Sequence, residues 1–238
     1  FRYFNKELDQ EIKYFKKGLI FTVDEKIYSI DELESPNAKS EALTMPKSLQ
    51  KELVGVSFGH KIIVFIGKEE SFVTVIFMKE GKRRIICHSS AKVTSACIAG
   101  GRLLIIGGED GTVSLWSIPS LSKINVMAWH FTKIIKIACS ADANLIVTVD
   151  SDKNMILQSV NGSFIASVPN IEATVDLIVF KNGHIAVVAE HVISLYDCVG
   201  TYIDKVDVEY KIIKVNKFVS DEYRNYIAVG CEKCFGTC

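Results

Sequence analysis

The chain has 238 residues, with 28 Lys and Arg against 28 Asp and Glu, so its formal net charge is zero. Apolar residues make up 48% and charged residues 24%, enough apolar material to bury a large core, which excludes a disordered chain. The balance also argues against a protein held on nucleic acid by phosphate neutralisation over its whole surface, and no nucleic-acid partner is expected.

The first seventeen residues are read as a lead-in segment, 1–17. Phe1, Phe4, Leu8, Ile12 and Phe15 follow helical spacing, and Lys16, Lys17 and Gly18 resemble a helix stop. The favoured expectation is a short helix or irregular segment, with a strand over 12–15 as the other reading. The chain begins with Phe1 rather than Met, which suggests a piece of a longer protein.

Residues 18–238 are read as one repetitive all-β region. Its first unit covers 18–46, with strands at 19–23 and 26–30. The polar stretch 31–48 (DELESPNAKSEALTMPKS) is longer than a hairpin needs and is expected to be a mobile insertion. From Leu53 onward, Val- and Ile-rich runs of four to seven residues alternate with Gly, Asp, Asn and Lys turns. The runs at 61–66 (KIIVFI), 72–77 (FVTVIF) and 84–87 (RIIC) are examples. β-branched residues suit a pleated, packed surface, and runs this short read as strands. Further units are expected at 53–87, 93–128, 134–168 and 175–206, with a sixth opening at Ile212 and breaking off.

A repeat selects among sandwich, barrel and propeller. Residues 112–117 (TVSLWS) align with 154–159 (NMILQS) at an offset of 42 residues. The same offset sets His88 over His130, Ile106 over Thr148 and Asp110 over Asp152. A further 38 residues on, 192–197 (VISLYD) repeats the pattern. A period near 40, with four strands per unit, predicts β-propeller blades. About six units are visible, the last incomplete, and the expected parent is a seven-bladed ring. Turn chemistry agrees: 107–112 (GGEDGT) offers the Gly and Asp-Gly steps that tight hairpins use. The matching turn 150–154 (DSDKN) lacks glycine, and its Asp and Asn are expected to tolerate positive φ instead.

Residues 108–117 (GEDGTVSLWS) resemble the end of a WD repeat. The resemblance implies a buried His, hydroxyl, Asp and Trp network, carried here by His88, Asp110 and Trp116 in one unit and by His130, Thr148 and Asp152 in the next. Ile106 stands where the first unit's hydroxyl belongs, and Gln158 stands where the second unit's Trp belongs. The segments 134–168, 159–168 (SVNGSFIASV) and 195–203 (LYDCVGTYI) look like late blades of the C-terminal propeller in BEACH-domain, neurobeachin-like proteins. That likeness implies a cytosolic, non-enzymatic scaffold in vesicle or lysosomal membrane traffic. It also implies partner proteins on the propeller loops and rim, a BEACH domain upstream in the parent chain, and peripheral membrane association through that parent. A subunit or substrate receptor of another intracellular complex is the alternative, and a propeller enzyme or small-ligand binder is a third.

Little chemistry competes with this reading. The C-x2-C-x3-C run at Cys231, Cys234 and Cys238 lacks a second ligand pair, so no metal is expected. Seven cysteines, mostly in apolar runs, read as reduced thiols rather than a disulfide framework. No phosphate-cradling, dinucleotide or nucleophile-elbow motif occurs, and no cofactor is expected. No apolar stretch reaches the ~18 residues of a membrane-spanning helix. Trp129, in a connecting segment, and the basic cluster Lys82, Arg83 and Arg84 are the candidate interaction surface.

Overall fold

The computed structural model describes residues 12–16, 19–22, 26–29, 43–44, 51–57, 60, 62–67, 70–77, 83–87, 91–219 and 225–231. Its described elements are all β-strands, arranged as repeated antiparallel sheets.

Sheet 1 runs β1 (Ile12–Lys16), β2 (Leu19–Thr22), β3 (Lys26–Ser29) and β4 (Leu43–Thr44) in order. Sheet 2 holds β5 (Lys51–Ser57), β6 (Ile62–Gly67), β7 (Phe72–Phe77) and β8 (Arg83–Cys87). Sheet 3 holds β9 (Val93–Ala99), β10 (Leu103–Gly108), β11 (Val113–Ser117) and β12 (Lys123–Met127). Sheet 4 holds β13 (Ile134–Cys139), β14 (Leu145–Asp150), β15 (Met155–Ser159) and β16 (Phe164–Val168). Sheet 5 holds β17 (Asp176–Val179), β18 (Ile185–Val188), β19 (Val192–Tyr196) and β20 (Tyr202–Asp207). Sheet 6 pairs β21 (Ile212–Val219) with β22 (Asn225–Cys231).

The six units read from the repeat therefore coincide with six sheets. Two expectations at the N-terminal end change. Residues 12–16 form a strand, with Phe15 opposite Ile20, so the helix reading fails there and sheet 1 begins before residue 18. An edge that β2 leaves unpaired is filled by this strand, and backbone pairing outweighs the helical spacing of a few aromatic side chains. Leu43–Thr44, inside the stretch expected to be an insertion, pairs with Lys26 and Ile27 as the fourth strand. Phe1, Phe4, Leu8 and the rest of 31–48 lie outside the described residues.

The middle strands of sheets 2 to 5 carry buried apolar side chains on both faces. In β6, β14 and β18 every residue is buried. One face of β10, with Leu104 and Ile106, packs on Val64, Val73 and Val75 of sheet 2. The other face, with Ile105, packs with Leu115 on Ile134, Ile137 and Ile146 of sheet 4. Sheet 4 turns Val147, Val149 and Leu157 toward Leu177, Ile185 and Val187 of sheet 5. Ile178 and Ala186 then meet Val215 and Ile227 of sheet 6. This serial face-to-face stacking explains why the sequence shows continuous apolar runs rather than strict alternation.

First strands of neighbouring sheets also lie side by side. Ser57 Oγ donates to the Gly101 carbonyl in the turn after β9, and Thr94 Oγ1 donates to the Ile134 carbonyl at 2.5 Å. Lys136 Nζ lies 3.9 Å from Asp176 Oδ1. The outer strands β12, β16 and β20 are the exposed ones.

Candidate interaction site at the seam of sheets 3 and 4

The segment 128–133 leaves the outer strand β12 and returns to the first strand β13. Around its middle the side chains alternate between the outside and the inside of the molecule. Trp129 is 44% exposed, His130 is buried and Phe131 is 98% exposed.

His130 is the inward anchor. Its Nδ1 lies 2.9 Å from Asp150 Oδ2 at the end of β14, and its Nε2 lies 2.8 Å from Thr148 Oγ1 in the same strand. Asp150 is itself saturated. Its Oδ1 accepts the backbone N–H groups of Asp152 and Asn154, and its Oδ2 also accepts the Asn154 side-chain amide. Burial holds the imidazole below its ordinary pKa of 6.5, against the opposing pull of the Asp150 carboxylate. A neutral ring places its proton on Nδ1, facing the carboxylate, and accepts the Thr148 hydroxyl at Nε2. Burial pushes the Asp150 carboxyl upward, but the Asn154 and His130 donors outweigh it and hold the group below its ordinary range. The order hydroxyl, imidazole, carboxylate is that of a nucleophilic relay. Thr148 is fully buried among strands, however, so its hydroxyl faces no surface from which a substrate approaches.

The network corrects one expected residue. The acid is Asp150, not Asp152. Asp152 is exposed and uses its backbone N–H to cap Asp150. A residue at the last position of a middle strand points into the sheet interface, whereas one two places further sits on the turn. The same shift applies in sheet 3. Asp110 is exposed and accepts Thr112 N–H and Oγ1, holding its own turn. The position matching Asp150 is Gly108, so sheet 3 has no acid to offer such a network. His88 lies outside the described residues. Trp116 packs against the core shared by sheets 2 and 3, donates to Ser114 Oγ at 2.9 Å and carries Lys123 Nζ 5.0 Å from its ring centre. Gln158, at the matching position of sheet 4, is 1% exposed, and neither end of its amide has a hydrogen-bond partner.

The turn after β14 also differs from expectation. Lys153, rather than Asp152 or Asn154, takes the positive φ of 64°, at the place where Gly111 has 79° in sheet 3.

Outside, Trp129 rests on Phe164 of β16, with ring centres 5.6 Å apart and planes inclined by 55°. On β12, Ile124 and Val126 are exposed, and between them Asn125 donates to the Asn161 carbonyl at the β15–β16 turn. Trp129 and Phe164 thus pair at the outer end of the seam between sheets 3 and 4, and Phe131 is exposed two residues along the same connector. Sequence reading found Trp129 and missed Phe131 and Phe164. Phe164 starts a strand and reads as core until the outer position of that strand is known.

The basic cluster is only partly placed. Arg84 is exposed on β8 with its guanidinium 5.7 Å from the Phe77 ring centre, Arg83 belongs to the same strand, and Lys82 lies outside the described residues. Among the described residues no three His, Cys, Asp or Glu side chains converge to hold a metal ion, and no helix is long and apolar enough to cross a membrane.

No protein-family model matches the chain, and no curated protein matches it. Among solved structures, it is similar to the computationally designed Ika8 protein, with a TM-score of 0.65 at 17% sequence identity. The match covers 92% of this chain and 66% of the designed one, so this chain spans just under two thirds of that protein. At this identity the likeness is one of fold: repeated four-stranded antiparallel sheets stacked in series.

Proposed function

We propose that the chain is a β-propeller that works as a non-enzymatic protein-interaction scaffold, with its contact face at the seam of sheets 3 and 4. Two features support the propeller: consecutive four-stranded sheets stack face to face, and their first strands lie side by side while their fourth strands face outward. A radial stack of this kind gives rigid surfaces with short, protected edges, and its connecting segments are where specificity resides.

The observation that carries the interaction reading is the exposed aromatic group. Trp129 and Phe164 are large apolar side chains displayed as a pair, and Phe131 is exposed on the same connector as Trp129. Aromatic anchors of this type supply most of the binding energy in protein interfaces. The WD-repeat reading adds the His130, Thr148 and Asp150 network, which ties the anchor-bearing segment to sheet 4. The BEACH-like trafficking role rests on the likeness of 159–168 and 195–203 to that family's late blades.

The test is quantitative affinity capture with the intact chain and with a Trp129→Ser/Phe164→Ser variant of matched thermal stability. The reading expects a defined set of proteins to fall by about tenfold or more in the variant. Endomembrane trafficking proteins within that set support the BEACH-like role, and a set drawn from another complex replaces it. Equal capture by both forms refutes the contact face.

A further inference from the structure

The first strands β9 and β13 carry a cysteine at the same repeat position. Cys97 and Cys139 are separated by 42 residues, and their sulfurs lie 3.8 Å apart. Cys97 Sγ donates toward Cys139 Sγ, and Cys139 Sγ donates toward the Ile98 carbonyl, also at 3.8 Å. Both side chains are half-buried and pack against the core between sheets 3 and 4. From these positions we infer that Cys97 and Cys139 form a redox-active dithiol, a site where a small-molecule disulfide converts two thiols into a cross-link between neighbouring sheets.

The geometry favours closure. A disulfide needs its sulfurs about 2.05 Å apart, and rotation about one Cα–Cβ bond moves a sulfur far enough to close a gap of this size. The strands are already tied to each other close to the pair. Thr94 Oγ1 holds the Ile134 carbonyl three residues before Cys97, and the Cys139 thiol itself reaches the Ile98 carbonyl. Both thiols are partly exposed, and oxidised glutathione is the small-molecule disulfide to which they are put.

The chemistry balances without a metal or an electron carrier. The thiolate of one cysteine attacks a sulfur of oxidised glutathione, forming a mixed disulfide and releasing one glutathione thiolate. The second protein thiolate then attacks the protein sulfur of that mixed disulfide and releases the second glutathione. Two protein thiols lose two electrons and two protons, and one glutathione disulfide becomes two thiols. The product fastens the first strand of sheet 3 to the first strand of sheet 4. Closing a loop this long removes much of the unfolded chain's freedom, so the oxidised form should be the more heat-stable one.

The experiment treats the fully reduced, intact chain with oxidised glutathione, followed by alkylation, intact mass and peptide mapping. The expected product loses about 2 Da rather than gaining a glutathione at these two sites, because the second exchange expels it. Mapping should join the Cys97 and Cys139 peptides, and the thermal midpoint should rise by several degrees and fall back on reduction. Cys198, exposed on the turn after β19, is the internal reference for simple glutathione capture. Cys97→Ser and Cys139→Ser should each abolish the cross-link, leave a single mixed disulfide on the remaining thiol and remove the rise in midpoint. The wild-type map decides the question even where a variant folds poorly. Cys97 and Cys139 remaining as thiols, or accumulating as two separate mixed disulfides, once Cys198 is fully modified would overturn the inference.

Discussion

Sheets 3 and 4 are two copies of one pattern, and they solve the same structural problem with different chemistry. Their strands match at an offset of 42 residues, down to the paired cysteines of β9 and β13. Sheet 4 fixes the connector in front of it through His130, Thr148 and Asp150. Sheet 3 has Ile106, packed in the apolar core shared with sheet 2, and Gly108 at the two matching strand positions. At the third-strand position sheet 3 has Trp116, bonded to Ser114, where sheet 4 buries Gln158 without a partner. In the turn, Gly111 lies under the connector while Lys153 bears a side chain at positive φ. A repeat therefore preserves strand register more strictly than it preserves the interactions that stabilise each copy. Register is enforced by backbone pairing and by two buried faces, whereas a network can be exchanged for apolar contacts of similar volume.

The largest effect that separates the copies should come from Asp150→Ala. It strands a buried imidazole and several donors, and should cost about 3 kcal/mol in chemical denaturation, while Asp152→Ala should cost no more than about 0.5 kcal/mol. Equal effects would return the acid to position 152. Gly111→Ala comes next. An added Cβ would lie 2.5 Å from the His130 carbonyl oxygen at a φ of 79°, so a loss of about 2 kcal/mol or more is expected.

Acid should reveal the network at a smaller scale. The folded state holds neutral His130 below pKa 6.5, so the unfolded state takes up the proton first. Stability should fall as pH drops below 6.5, by at most about 1.4 kcal/mol per pH unit, until the folded-state pKa is passed. Asp150, also held low, adds a second loss only below its ordinary value of 3.8. Denaturation curves for His130→Gln should lack the first of these two slopes. The smallest change is a gain: Gln158→Leu replaces an unpartnered buried amide by an apolar group of similar size and should stabilise by about 1 kcal/mol.

Much of the fold was legible in the sequence. The period, the Val and Ile runs and the glycine turns located the sheets to within a few residues, because strand length and turn geometry are local properties. At 12–16 the strand alternative holds rather than the favoured helix, because aromatic spacing in a short segment carries no information about an unpaired edge on β2. Asp152 was named because the 42-residue offset sets it over Asp110 in the GEDGT turn, and only strand direction tells which carboxylate enters the interface. Trp129 was found from composition and position. Phe131 and Phe164 were not, since apolar residues next to or within a strand read as core unless the outer strand is identified.

The central claim is that the buried His130 network positions the exposed aromatic anchor beside it. Only Trp116 and Trp129 are tryptophans, so in a Trp116→Phe background Trp129 alone reports. Its emission and acrylamide quenching, measured in folded protein at neutral pH, test that claim directly. The account expects His130→Ala to free Trp129 from Phe164, shifting emission to the red and raising quenching, with Asp152→Ala unchanged. Identical emission and quenching with and without the imidazole would contradict it.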